Sequence, residues 1–185
     1  DASEEATSYA KSNDKIFIPP FNHPLVIEGN GTVGYEILEQ FNGAIDYLFL
    51  PIGGGGVSAG VGTYLKPLSP DTKIIGVEPE GAPAMWEAFK QKKVVSLQNI
   101  DTFVDGAAVQ KAGDLTFNIC KEVLDTIQLV PEGKICTFIL DMYNDDAIVV
   151  EPAGVLTIAA LDFYKEEIKG KNVVCLVSGG NNDIQ

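Results

Sequence analysis

Arginine is absent from the sequence, so all 13 basic residues are lysines. No planar guanidinium fork is available to grip a carboxylate or phosphate through paired hydrogen bonds. Any anion held here must rest on backbone N–H groups, helix dipoles, hydroxyls or lysine. Positive charge is scarce altogether: 26 acidic residues bring the formal net charge to -13. That charge repels a phosphate backbone at long range and argues against nucleic-acid binding. Histidine occurs once, as His23 in a proline-rich loop, where a structural role is expected rather than general-base work. Cys120, Cys136 and Cys175 are odd in number, far apart and set in apolar runs. They read as small buried hydrophobes of a reducing compartment, not as disulfides or metal ligands. No apolar stretch approaches the ~20 residues needed to span a bilayer. The opening Asp-Ala-Ser-Glu-Glu-Ala has neither the basic start nor the apolar core of a signal peptide. A cytoplasmic protein with neither a membrane nor a nucleic-acid partner is expected.

What is present is an apolar fraction of 45% over 185 residues, enough for one well-buried core. Residues 15–18, 46–50, 73–77, 147–150 and 172–177 read as short strands. Two of these, around Tyr47-Leu48-Phe49-Leu50 and Val173-Val174-Cys175-Leu176-Val177, are apolar at consecutive positions, as in central strands covered on both faces. Helical spacing marks residues 32–41, 58–65, 82–91, 114–124, 133–143 and 152–169. The last begins with Pro152 and ends before Gly170, with Lys165 and Lys169 near the negative end of the dipole. Strand–helix alternation predicts a single α/β unit over residues 1–185: an open, mostly parallel twisted sheet with helices on both faces.

The most informative stretch is Phe49-Leu50-Pro51-Ile52-Gly53-Gly54-Gly55-Gly56-Val57-Ser58-Ala59-Gly60. An apolar strand ends, four glycines follow, and small residues open a helix. Bare backbone N–H groups can then converge at the positive end of that helix, where a dianionic phosphate fits without a cationic side chain. A flexible turn or a close strand–helix contact is the plainer alternative, although four glycines cost about 0.5–1 kcal/mol each relative to alanine in regular structure. The lysine and Ser/Thr pair of a nucleoside-triphosphate loop is missing, since Val57-Ser58 stand in its place. A dinucleotide is not dismissed by spacing alone, because Glu78 falls near the place of a ribose-binding acid.

Pro51 through Gly56 after one strand, Gly76-Val77-Glu78-Pro79 after the next, Asp105-Gly106-Ala107-Ala108-Val109, Glu151-Pro152-Ala153-Gly154, and the terminal Val177-Ser178-Gly179-Gly180-Asn181-Asn182-Asp183 stand in this order. Together with Pro20-Phe21-Asn22-His23-Pro24 and Gly29-Asn30-Gly31-Thr32, they resemble the threonine dehydratases, fold-type II pyridoxal-phosphate (PLP) enzymes related to serine racemase and serine dehydratase. The resemblance covers essentially the whole chain and implies the large-domain half of that fold. It implies that Gly53, Gly54, Gly55, Gly56 and Val57 hold the phosphate of pyridoxal 5'-phosphate, and that Ser178, beside Gly179, offers its hydroxyl to the pyridine nitrogen. Gly106 and Glu151 would line the cofactor's face; Glu151 could equally be a solvated helix cap. Glu78 and the carbonyl of Ala82 match part of a structural cation site in serine racemase-like relatives. Ala84 stands where its acidic partner belongs, so no metal is expected.

The same resemblance marks what the chain lacks. The family's cofactor-bearing lysine and its Ser-x-Gly-Asn-His loop lie upstream of the matching segment, and no lysine here occupies that motif. No catalytic residue is therefore assigned. The expectation is the C-terminal part of a catalytic domain, without its lysine-bearing part or any regulatory domain, and inactive alone. The parent would act on a small hydroxy amino acid, threonine or serine, releasing ammonia and a 2-oxo acid, and would be a homo-oligomer. A non-catalytic module binding a phosphorylated ligand and a serine racemase-like enzyme are the alternatives.

Overall fold

The computed structural model describes residues 2–182; Asp183 and Ile184, part of the terminal motif, lie outside the described residues. Helix α1 (Ala2–Ser12) leads through an extended segment to α2 (Pro24–Gln40). The core alternates: β1 (Tyr47–Pro51), α3 (Gly56–Leu68), β2 (Lys73–Pro79), α4 (Ala84–Gln91), α5 (Asp114–Val123), β3 (Thr126–Val130), α6 (Glu132–Asp146), α7 (Pro152–Ala160) and β4 (Val173–Cys175). The strands form one sheet in the order β3-β2-β1-β4, parallel throughout, with Tyr47 opposite both Lys73 and Val173.

Alternation along the strands divides the core into two layers, because successive side chains point to opposite faces. Leu48, Leu50 and Ile74 pack with Ala59, Val61 and Leu65 of α3 and with Phe117, Cys120 and Val123 of α5. Tyr47, Phe49, Ile75 and Val77 pack on the other face with Ile135 of α6 and Val155, Leu156 and Ala159 of α7. Helices thus cover both faces, as the consecutive apolar residues of β1 predicted.

Strand order also fixes where a site can form. From β1 the chain steps outward through β2 to β3, then returns to place β4 on the other side of β1. The connections leaving β1 and β4 therefore part at their carboxyl ends, and a crevice opens at such a switch point in an open parallel sheet.

Several boundaries differ from the sequence expectation. Residues 15–18 are not a strand: Ile16 and Ile18 are exposed, and only an extended segment forms. Residues 147–150 are also not a strand, because α6 runs on to Asp146 and Ala147 closes it in the left-handed conformation, φ 56°. The edge strand β3 was unanticipated, its Thr-Ile-Gln-Leu-Val pattern being only half-buried. Helix α2 begins at Pro24, where the His23 Nδ1 accepts the Leu25 N–H at 3.2 Å; the glycines of its first turns hid it. The helix expected over 152–169 stops at Ala160, followed by a short 3-10 turn. Tyr164 turns inward there, its ring 5.2 Å from that of Phe49, while Asp162 pairs with Lys134 and Lys165.

Phe49 has no exposed surface and touches both α7 and the Tyr164 ring. Phe49→Ala is expected to lower stability by about 3–5 kcal/mol, read from the midpoint of denaturant unfolding at unchanged slope. A loss below about 1 kcal/mol would contradict this packing.

Candidate functional site

At the switch point lies a cleft of ≈ 480 Å³ lined by Gly53, Gly54, Gly55, Gly56 and Val57 on one side and by Gly106, Ala107, Glu151 and Ser178 on another. Pro20, Phe21, Asn30, Pro51, Val109 and Ala153 complete it. The glycine loop runs from the end of β1 into the first turn of α3. Its carbonyls are tied back into the fold: the Gly54 oxygen accepts the Thr116 hydroxyl at 2.6 Å and the Gly113 N–H at 3.4 Å. The Gly55 oxygen faces Cys120 Sγ at 3.7 Å, and the Pro51 oxygen accepts the Ser58 hydroxyl at 3.2 Å. The N–H groups of residues 53–57 find no acceptor among the described residues. Buried N–H groups without partners are costly, and at a helix N-terminus they are suited to an anion.

Glycine is required at Gly55, the cap of α3, whose φ is +91°. A Cβ there would also stand 2.5 Å from the Met85 methyl and 3.1 Å from Thr116. The ring of Phe21 lies directly against Gly54. Asn22 braces the arrangement from behind, its side-chain oxygen accepting the N–H groups of Leu115 and Thr116 at 2.9 and 3.4 Å.

Glu151 has a dual position. Its backbone begins α7, but its carboxylate does not cap that helix. The carboxylate lies over Gly106 and Gly179: an added Cβ would meet it at 3.2 Å and 2.5 Å respectively. One oxygen accepts the Asn181 N–H at 3.3 Å, and the Glu151 N–H donates to the Gly179 carbonyl at 3.1 Å. The strand-end segment carrying Ser178 is thereby fastened to the start of α7. Ser178 itself is exposed at the cleft wall, just past β4. Gly179 supports the wall without being one of the lining residues. The sequence motifs for the site thus converge.

Glu78 is elsewhere. It is fully buried, and its two oxygens accept the N–H groups of Met85 and Trp86 at 2.8 and 2.7 Å. It caps α4 from the end of β2 and is not among the residues lining the cleft, and this removes the basis of the dinucleotide alternative. The donor set also does not suit a cation, since both oxygens are engaged and Ala84 contributes no ligand. Among the described residues no group of three or more His, Cys, Asp and Glu is placed to hold a metal ion. Loss of solvation pushes the Glu78 carboxyl up to about 8, against the two amides that favour its anion.

His23 is a helix cap, outside the cleft. Cys120 is buried and Cys175 half-buried, both thiols being pushed up to about 12 chiefly by burial. Cys136 is exposed, contrary to the expectation of three buried thiols, because its position on α6 faces away from the sheet. No lysine lines the cleft among the described residues. Sequence reasoning gave no site role to Asn30, Phe21 or Val109, which enter it only as parts of family-like segments. No helix among the described residues is long and apolar enough to cross a membrane.

An open parallel sheet with an anion-ready glycine loop at its switch point defines a phosphate-binding α/β protein. The chain belongs to the family of pyridoxal-phosphate dependent enzymes, which it matches over residues 1–179. It is 59% identical over 184 residues to the L-threonine dehydratase biosynthetic IlvA of Halalkalibacterium halodurans and 54% identical to that of Bacillus subtilis. Each match covers 100% of this chain but only 44% of the relative. The processed form of threonine deaminase isoform 2 from Solanum lycopersicum superposes with a TM-score of 0.92 at 40% identity, over 98% of this chain and 53% of that one. Maize serine racemase superposes with a TM-score of 0.91 at 30% identity, over 98% and 57%. The loop N–H groups, without an acceptor among the described residues, fit the family's cofactor, whose phosphate needs hydrogen-bond donors.

The buried carboxyl of Glu78 gives a pH dependence of defined sign. Its ordinary value is 4.5 and its folded value about 8, so between them the folded protein keeps a proton that the unfolded chain has lost. The stability from this group is full below the lower value and falls as pH rises through the upper one. Unfolding free energy is expected to decline across that window, and Glu78→Gln to flatten the decline. An unchanged slope in the variant would contradict the assignment.

Proposed function

We propose that this chain is the phosphate-holding, C-terminal part of the catalytic domain of a PLP-dependent threonine ammonia-lyase. The observation that carries the reading is the glycine loop lining the cleft, with the Pro51 and Gly54 carbonyls tied back and the N–H groups of residues 53–57 without an acceptor among the described residues. The names of the relatives support threonine as substrate.

In this reading Gly53, Gly54, Gly55, Gly56 and Val57 hold the phosphate through backbone N–H groups at the positive end of α3. Ser178 presents its hydroxyl to the ring nitrogen. Glu151, with Gly106 and Gly179 packed around it, lines the ring's face. When bound, the cofactor supplies an electron sink for the bonds at the substrate's α-carbon. A neutral hydroxyl from Ser178 at the ring nitrogen would make that sink weaker than a carboxylate would. The overall change removes the α-hydrogen and β-hydroxyl as water, and water then releases ammonia to leave a 2-oxo acid. The chain supplies neither the family's cofactor-bearing lysine nor its grip on the substrate's carboxylate, so it is inactive alone. We place the parent protein in isoleucine biosynthesis, as a cytoplasmic homo-oligomer.

A serine racemase-like activity is the second reading, favoured by the superposition on the maize enzyme. Incubating the full-length protein with PLP and threonine or serine separates the two. Ammonia and 2-oxo acid in equal amounts, faster from threonine, are expected; D-serine without 2-oxo acid would overturn the lyase reading. Gly55→Ala, which forces a left-handed φ on a residue with a Cβ, is expected to weaken PLP binding by about tenfold or more.

A further inference from the structure

We infer that Asn30 is a side-chain hydrogen-bond donor to the phosphate in the glycine cleft, an inference that rests on the PLP reading of that cleft. It begins with how α2 lies on α3. A Cβ on Gly60 would collide with the Ile27 carbonyl and stand 2.8 Å from the Gly31 N and 2.9 Å from the Asn30 Cβ. A Cβ on Gly34 would stand 3.1 Å from the Val61 carbonyl. The two helices meet backbone to backbone, with glycine on both sides of the contact. Gly56 lies four residues before Gly60 on the same face of α3, one turn nearer the loop. There the Asn30 Nδ2 lies 3.3 Å from the point where a Gly56 Cβ would stand. The glycine contact delivers an amide to the first residue of the phosphate-facing helix.

Nothing among the described residues occupies that amide. Asn30 is half-buried at the cleft wall, and its side chain makes no hydrogen bond to a described residue. Of the side chains lining the cleft, only Asn30 and Ser178 carry an N–H or O–H donor, and none is cationic. The two ends of the loop also differ in charge. Gly53 packs against Ala107 and Gly106, beside the Glu151 carboxylate, whereas Gly56 packs against Phe21 and Asn30. A dianion is repelled from the Glu151 end and drawn to the end where the helix terminus and the amide coincide.

The test compares PLP with pyridoxal, which has the same ring but no phosphate, by titrating the full-length apoprotein and following cofactor absorbance. Asn30→Asp keeps the size, removes the donor and turns a carboxylate toward the phosphate. It is expected to weaken PLP by about tenfold or more while pyridoxal changes by less than about twofold. Asn30→Ala removes only the donor and is expected to weaken PLP about three- to tenfold with the same selectivity; it carries the comparison if the aspartate variant does not fold. A purely structural Asn30 would leave the PLP-to-pyridoxal ratio at its unsubstituted value in both variants, and that result overturns the inference. Gly55→Ala separates the two levels. If it weakens PLP while the Asn30 variants keep the unsubstituted ratio, only the role of Asn30 falls. If the unsubstituted protein binds PLP no better than pyridoxal and Gly55→Ala alters neither, the cleft reading falls with it.

Discussion

A glycine loop can hold an anion through its backbone only where its N–H groups are both unpaired and fixed. Here that condition is met by what the loop's carbonyls do. Thr116 and Gly113 hold the Gly54 oxygen, and Ser58 holds the Pro51 oxygen. Each of these partners depends in turn on α5 and α3 packing against the same face of the sheet. The Asn22 side chain, from the turn before α2, completes the brace by bonding the first N–H groups of α5. The cleft is therefore a property of the packed layer, not of four flexible glycines in isolation. The preorganised donors lie at the positive end of α3, where their field adds to the helix dipole.

The sheet was legible in sequence where its strands are central. The consecutive apolar residues of β1 are what a strand buried on both faces requires, and these set the glycine loop. The same pattern at residues 173–177 suggested a second central strand, but β4 is a half-buried edge strand, left uncovered on one side because no described strand pairs beyond it. Edge strand β3 was not legible, because its half-buried residues carry a weaker pattern. The run at residues 147–150 looked like a strand by composition, yet its backbone follows the left-handed cap of α6 at Ala147. Helix α7 was overextended because the sequence does not reveal that Tyr164 folds back onto Phe49.

The site was legible where motifs lie on backbone, and less so where side chains act at a distance. Gly53, Gly54, Gly55, Gly56, Val57, Gly106, Glu151 and Ser178 all meet at one cleft. Asn30 could have been found only from the glycines of two helices separated in sequence, whose contact is tertiary. Glu78 illustrates the converse. Its spacing allowed a ribose or a cation, but a buried carboxyl group bonded to two helix N–H groups serves the fold.

Hydrogen exchange at the backbone amides of residues 53–57, read in the full-length protein with and without saturating PLP, tests the central claim most directly. The account predicts that PLP slows exchange at these amides, and that inorganic phosphate does so more weakly. Unchanged exchange at all five positions under saturating PLP would contradict it.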